Sequence, residues 1–343
     1  MDDDRAIELY AQFRASYQTK RVHDIVQQPN LSGGQTMTAP MIPYIESADD
    51  FLRELFNSVN DFRRWINTLD AWRQVYESCD EIERLSLLVE HIRPYSTLAL
   101  GGPQAIRGRI MYAAAICCGH ANYVLHGDNP NLQWDGVRNL NMKIASGIGQ
   151  PWANWKELAP ILSNKLGYGA IHDLTDNYRN HHEHGHPRNI GMGLTASVAV
   201  SANEKGQRMW SFGPREAITL ETVIEQTAEQ HALAVEAYNL LCALAKEQFE
   251  ALMQFTNSLY PFSPLPVIDG PWKGKKQAYS IGTFEVQGIE IANPLTILQA
   301  GVERVRYYRQ KNTSGWVWSI EVPENACELL RAAEAEIRRF FPD

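Results

Sequence analysis

The chain has 343 residues, of which 44% are hydrophobic and 21% charged, and its formal net charge is −8. That length holds one large domain or two ordinary ones with a substantial core. The acidic balance excludes a broad basic groove for nucleic acid, so any contact of that kind is confined to a local pocket. The cysteines Cys79, Cys117, Cys118, Cys242 and Cys327 form no CxxC pair and read as reduced, buried thiols of a cytoplasmic protein. The start MDDDRAIELY lacks a signal-peptide pattern. The most apolar run, Ile110–Leu125, is broken by His120 and Asn122 and is too short to span a bilayer.

Residues 1–46 are expected to form an N-terminal helix, with Ile7, Leu9, Tyr10 and Phe13 as its apolar contacts, followed by a Pro/Gly-rich linker over 27–43. Residues 47–260 read as a helical bundle. Ser47 opens a helix in which Phe51, Leu52, Leu55, Phe56, Val59, Phe62, Trp65, Ile66 and Leu69 follow an i, i+3/i+4 pattern. A second helix carries Trp72 to Val89 and is expected to stop at Pro94 and the Gly101-Gly102-Pro103 breaker. A third, Ala-rich helix runs from about Gln104 to Leu125. A turn-rich loop over 126–136 leads to a short helix at Trp155–Leu166, and Trp134, Trp152 and Trp155 read as core aromatics rather than a base-stacking surface. Met192–Val200 and Arg208–Phe212 alternate as a β-hairpin around the turn 203–206. Thr219 is placed as N-cap of the longest helix, about 220–259, in which His231 interrupts the apolar stripe. The proline-rich stretch 258–276 marks a boundary. Residues 261–343 then read as a small α/β module, with strands in 279–291 and 316–322 and helices at 293–309 and 323–341. Arg304, Arg306, Tyr307, Tyr308, Arg309 and Lys311 read as a solvated basic and aromatic face. The expected fold is therefore mainly α: a helical bundle with an inserted β-hairpin and a small C-terminal α/β module.

The densest chemistry lies at Ile171–Ile190, IHDLTDNYRNHHEHGHPRNI, which holds five of the ten histidines. Read as one helix ended by Gly185 and Pro187, with about 100° per residue, it places Leu174, Tyr178 and Ile171 on an apolar stripe. His172, Asp173, Asp176, Asn180, Glu183 and His184 fall on a polar arc with Arg179 at its edge. The run Arg179-Asn180-His181-His182-Glu183-His184 resembles the R-x4-H signature of the HEPN superfamily, through Arg179, Asn180 and His184. The resemblance implies an all-α bundle, usually dimeric, with two motifs meeting across the interface and metal-independent endoribonuclease activity. It implies no cofactor, an RNA substrate, and an antitoxin or regulatory protein as partner in a toxin or phage-defence setting. Arg179 would hold the scissile phosphate, His184 would move protons and Asn180 would orient them. His181 and His182 are further substrate-binding candidates, and either stands as an alternative working histidine.

A second motif overlaps the first. His182-Glu183-His184-Gly185-His186 matches His-Glu-x-x-His, in which two zinc ligands sit one turn apart with a glutamate as base. Gly185 and Pro187 interrupt the turn that this chemistry needs, and no third ligand follows at the required spacing. A third reading, from a different class, is a non-catalytic assembly module that engages a partner protein.

Overall fold

The computed structural model describes residues 2–20, 25–31, 41–134, 136, 139–202, 206–259, 265–268, 270, 273–277, 283–287, 304–312 and 315–321. The chain divides into two compact units, one of residues 1–36 and 43–249, the other of residues 37–42 and 250–343. The first is mainly helical. Its elements are α1 (Asp3–Lys20), α2 (Ile42–Glu77), α3 (Glu81–Leu87), α4 (Arg93–His126), α5 (Met142–Gly149), α6 (Ala153–Asn164), α7 (Ala170–Leu174) and α8 (Tyr178–His184). An antiparallel hairpin follows, β1 (Leu194–Ala202) paired with β2 (Arg208–Glu216), and then α9 (Leu220–Leu259). The sequence-expected hairpin turn at 203–205 lies outside the described residues.

Apolar periodicity explains the long helices. On α2 the residues Ile45, Ala48, Leu52, Leu55, Val59, Phe62, Ile66 and Leu69 are all buried, as one helical stripe must be to face a core. That stripe continues through Trp72 and Val75. The expected break between two helices near Leu69 is absent, since no Gly or Pro interrupts the run. The helix also begins at Ile42, ahead of the expected Ser47. Its end is set instead by Asp80, which caps α3: the Glu83 N–H donates to Asp80 Oδ1 and the Asp80 N–H to Glu83 Oε2, a reciprocal capping box.

The expected breaker at Gly101-Gly102-Pro103 lies inside α4. The reason is packing. A Cβ on Gly102 would stand 3.2 Å from Phe62 Cδ2, so this glycine lets the α2 ring approach the α4 backbone. Pro94 sits in the first turn of α4, where its missing N–H costs nothing. A single π turn, Leu88–Ile92, joins α3 to α4.

Buried polar side chains tie α9 into the bundle. The Tyr44 hydroxyl donates to the Ala245 carbonyl at 2.8 Å, and Gln248 Nε2 donates to Cys118 Sγ at 3.0 Å. Burial pushes the Cys117 thiol up to about 12 and raises Cys118 and Cys242 as well, so these thiols stay protonated. Cys79, Cys117, Cys118 and Cys242 are free, and Cys327 lies outside the described residues. Thr219 caps α9 through its Oγ1, which accepts from the Thr222 N–H at 3.1 Å. Trp152 and Trp155 are buried, and Trp152 Nε1 donates to Asn122 Oδ1.

Past α9, the described part of the second unit is built from strands: β3 (Leu265–Pro266) pairs with β4 (Lys276–Gln277), and β5 (Thr283–Gln287), β6 (Arg304–Asn312) and β7 (Gly315–Ser319) form an antiparallel sheet in that order. The helix expected over 293–309 is overturned where it is described. Residues 304–312 form β6, paired with β5 in the register Val286↔Val305 and with β7 in the register Gln310↔Val317. Pairing partners on both sides outweigh the local pattern. The rest of that expected helix and the whole of 323–341 lie outside the described residues. Among the described residues no helix is long and apolar enough to cross a membrane.

Candidate functional site

The His-rich stretch is two short helices rather than one. After α7, Asp176 and Asn177 take φ values of 57° and 48°, a left-handed conformation that Asp and Asn tolerate better than most residues. The Asn177 N–H donates to the His172 carbonyl at 2.7 Å and so closes α7, while the Asn177 carbonyl accepts from the His181 N–H at 3.2 Å and starts α8. The single-helix projection therefore fails across this turn. His172, Asp173 and Asp176 do not share a helical arc with Arg179. Within α8 the arc survives: Arg179, Glu183, Asn180 and His184 follow one another over about 140° at about 100° per residue.

The apolar side of α8 anchors it. Tyr178 is buried, with its hydroxyl 3.1 Å from Thr97 Oγ1 on α4, and His182 stacks against the Tyr178 ring at 5.9 Å. Upstream, Gln230 of α9 accepts from the Gly167 N–H at 2.7 Å and donates to the Lys165 and Tyr168 carbonyls. The loop that feeds α7 is thereby fixed to the longest helix. Downstream, the Gly185 N–H donates to the His181 carbonyl and α8 ends.

Asn180, Glu183 and His184 are exposed, and Arg179 is half-buried. The Arg179 guanidinium is already engaged through two of its nitrogens. Nε donates to Glu183 Oε1 at 2.8 Å and Nη1 to Gln104 Oε1 of α4 at 3.3 Å. The guanidinium beside Glu183 holds that carboxyl below the usual carboxylate range. A guanidinium carries five N–H donors, so Nη2 and the second Nη1 hydrogen remain to meet an anion. His181 Nε2 lies 3.9 Å from Asp176 Oδ2. His184 Nε2 lies 3.9 Å from Glu183 Oε2.

The zinc alternative loses its geometry. His186 follows Gly185, outside α8, so His182 and His186 are not ligands one helical turn apart. Glu183 is committed to Arg179 instead of standing between two ligands. Among the described residues no three His, Cys, Asp or Glu side chains gather as a metal site. His231 is not part of this cluster: its Nε2 is 3.2 Å from the Val59 carbonyl, and its ring meets Phe62 edge-on at 5.6 Å.

Of three site neighbours, two escape a sequence reading. The Arg179–Glu183 pair has an i, i+4 signature that was available in the sequence. Gln104 had no such signal, and neither did Arg215, which ion-pairs with Asp176 from β2. Comparison of the chain with protein-family models, curated proteins and solved structures found no match.

Proposed function

We propose that this protein is a metal-independent endoribonuclease whose working groups are Arg179, Asn180 and His184. One observation carries the reading: a guanidinium with N–H donors left over, an amide and an imidazole lie along one solvent-facing side of α8. In the reaction the ribose 2′-oxygen attacks the adjacent phosphorus and the bond to the 5′-oxygen breaks, leaving a 2′,3′-cyclic phosphate and a 5′-hydroxyl. One proton leaves the 2′-hydroxyl and one joins the departing oxygen. An imidazole suits either transfer near neutral pH. Arg179 stabilises the charge that builds on the phosphoryl oxygens, and Asn180, one turn from His184, orients the ring or the substrate hydroxyl.

A single imidazole cannot be base and acid in the same step. The second comes from His181, which lies one turn before His184, or from His184 of a second copy, and in the latter case the working unit is a homodimer. The test is cleavage of RNA in excess EDTA. Wild type is expected to cut, and each single variant is expected to lose on the order of a hundredfold or more in rate: His184→Ala by removing a proton-transfer group, Arg179→Ala by removing a donor to the charge of the transition state. Equal cleavage by all three proteins, or activity that chelation abolishes and zinc restores, refutes the assignment.

A second reading, a non-catalytic assembly module, has its own observation. Ile82 and Leu85 of α3 and Val89 of the π turn are exposed, at 71%, 50% and 53%. It predicts no cleavage by any of these proteins together with a folded wild type.

A further inference from the structure

Asp176 and Asn177 are the non-glycine residues with positive φ among those described. Left-handed backbone is unfavourable for a residue with a Cβ, so contacts beyond the turn must stabilise two such residues in succession. The base of the hairpin supplies them. Arg215 of β2 forms an ion pair with Asp176 Oδ2. Arg188 donates to the Glu216 carbonyl through Nε and Nη2, at 3.0 and 2.7 Å, and to the Leu174 carbonyl through Nη1 at 3.3 Å. Two adjacent residues of β2, 215 and 216, are thus fastened to two positions, 174 and 176, at the exit of α7. Nothing comparable is needed by a long helix. However, α8 has seven residues, too few to hold a direction by its own hydrogen bonds, and its aim is set jointly by its contacts with α4 at Thr97 and Gln104 and by the turn before it.

We propose that Asp176 and Arg215 are positioning residues for the candidate site: their ion pair fixes the left-handed turn, and the turn aims α8 so that Arg179, Asn180 and His184 face the RNA together. This rests on the ribonuclease reading for what is positioned. Neither residue touches substrate. The Arg215 guanidinium is occupied by Asp176, and the Asp176 carboxylate lies between Arg215 and His181, which makes the histidine's surroundings a reporter of the pair.

The experiment compares wild type with Arg215→Ala, Asp176→Asn, Arg215→Lys and the Arg215→Ala/Asp176→Asn double variant. Asn tolerates left-handed backbone, so Asp176→Asn removes the charge and keeps the turn residue type. Steady-state cleavage of a short RNA is measured alongside the imidazole Cε1–H signals of His181 and His184 by NMR. Each single loss is expected to lower kcat on the order of tenfold with KM within about twofold, because misaligned groups slow the chemical step rather than binding. Arg215→Lys restores most of kcat, and the double variant is no worse than either single one, since both delete the same interaction. The histidine signals move in the two single variants and return in Arg215→Lys. A loss confined to KM, additive losses in the double variant, or wild-type kcat with unmoved histidine signals overturns the assignment. Wild type that cuts no RNA while the signals still move refutes the ribonuclease reading and leaves the control of α8 by the pair standing. Wild type that cuts RNA while the single variants match it in rate and signals refutes the positioning role alone.

Discussion

The long-helix core and the α7–α8 segment are held in place by different means. Helices α2, α4 and α9 have 36, 34 and 40 residues, and each buries a continuous apolar stripe against its neighbours. Their positions are over-determined: many side chains, each contributing about 1.5–3 kcal/mol of burial, point to the same arrangement. Helices α7 and α8 have 5 and 7 residues. Their placement depends on a few polar contacts: Gln230 to the loop at Gly167, Arg188 to Leu174, Arg215 to Asp176, and Tyr178 against Thr97. A core built the first way tolerates the loss of one surface group. A site built the second way has its geometry set by single residues, which suits an element that must stay polar and open.

The largest effect that sharpens this contrast concerns the core. Burial and the neighbouring Arg63 charge hold the His231 imidazole down to about 4, against the hydrogen bond to Val59. Its folded value is depressed below the unfolded one near 6.5, so the unfolded chain binds the proton more readily. The stability that this histidine contributes is therefore fully present above pH 6.5 and is lost as pH falls toward about 4. Wild type is expected to lose stability across that window more steeply than His231→Gln, by up to about 1.4 kcal/mol per pH unit, as followed by chemical denaturation at fixed pH. Identical slopes would contradict a neutral, buried His231 in the bundle.

A smaller effect concerns the site. Glu183 occupies Nε of Arg179, and under the proposed reading it would compete with a substrate phosphate for the guanidinium. Glu183→Gln is expected to tighten RNA binding a few-fold and to leave unfolding unchanged, because an exposed i, i+4 pair is screened by water and contributes little to stability. Weaker RNA binding, measured by fluorescence anisotropy, would mean instead that the carboxylate keeps Arg179 in its binding orientation.

Legibility in the sequence follows the range of the interactions. The stripe from Leu52 to Ile66 and the Thr219 cap are local, and periodicity and residue type expose them. Gly102 misleads because its role depends on Phe62 from another helix, and Arg304–Asn312 because strand partners decide its conformation. The same division runs through the site. Arg179, Asn180 and His184 are neighbours in sequence, so their common face on α8 is readable. The break at Asp176–Asn177 is not, because the arginine that stabilises it lies 39 residues away, and Gln104 reaches Arg179 across 75. Contacts of that range leave no pattern in a single sequence.

If the α8 face cleaves RNA as proposed, the 2′-hydroxyl is the attacking group. The most direct measurement uses an RNA oligonucleotide and its twin with a single 2′-deoxy residue at the cleaved position, incubated with wild type in EDTA. The all-ribose strand is expected to be cut to a 2′,3′-cyclic phosphate and a 5′-hydroxyl, and the substituted strand to stay intact at that position. Cleavage of the 2′-deoxy strand at the same bond, or products ending in a 5′-phosphate, would contradict it.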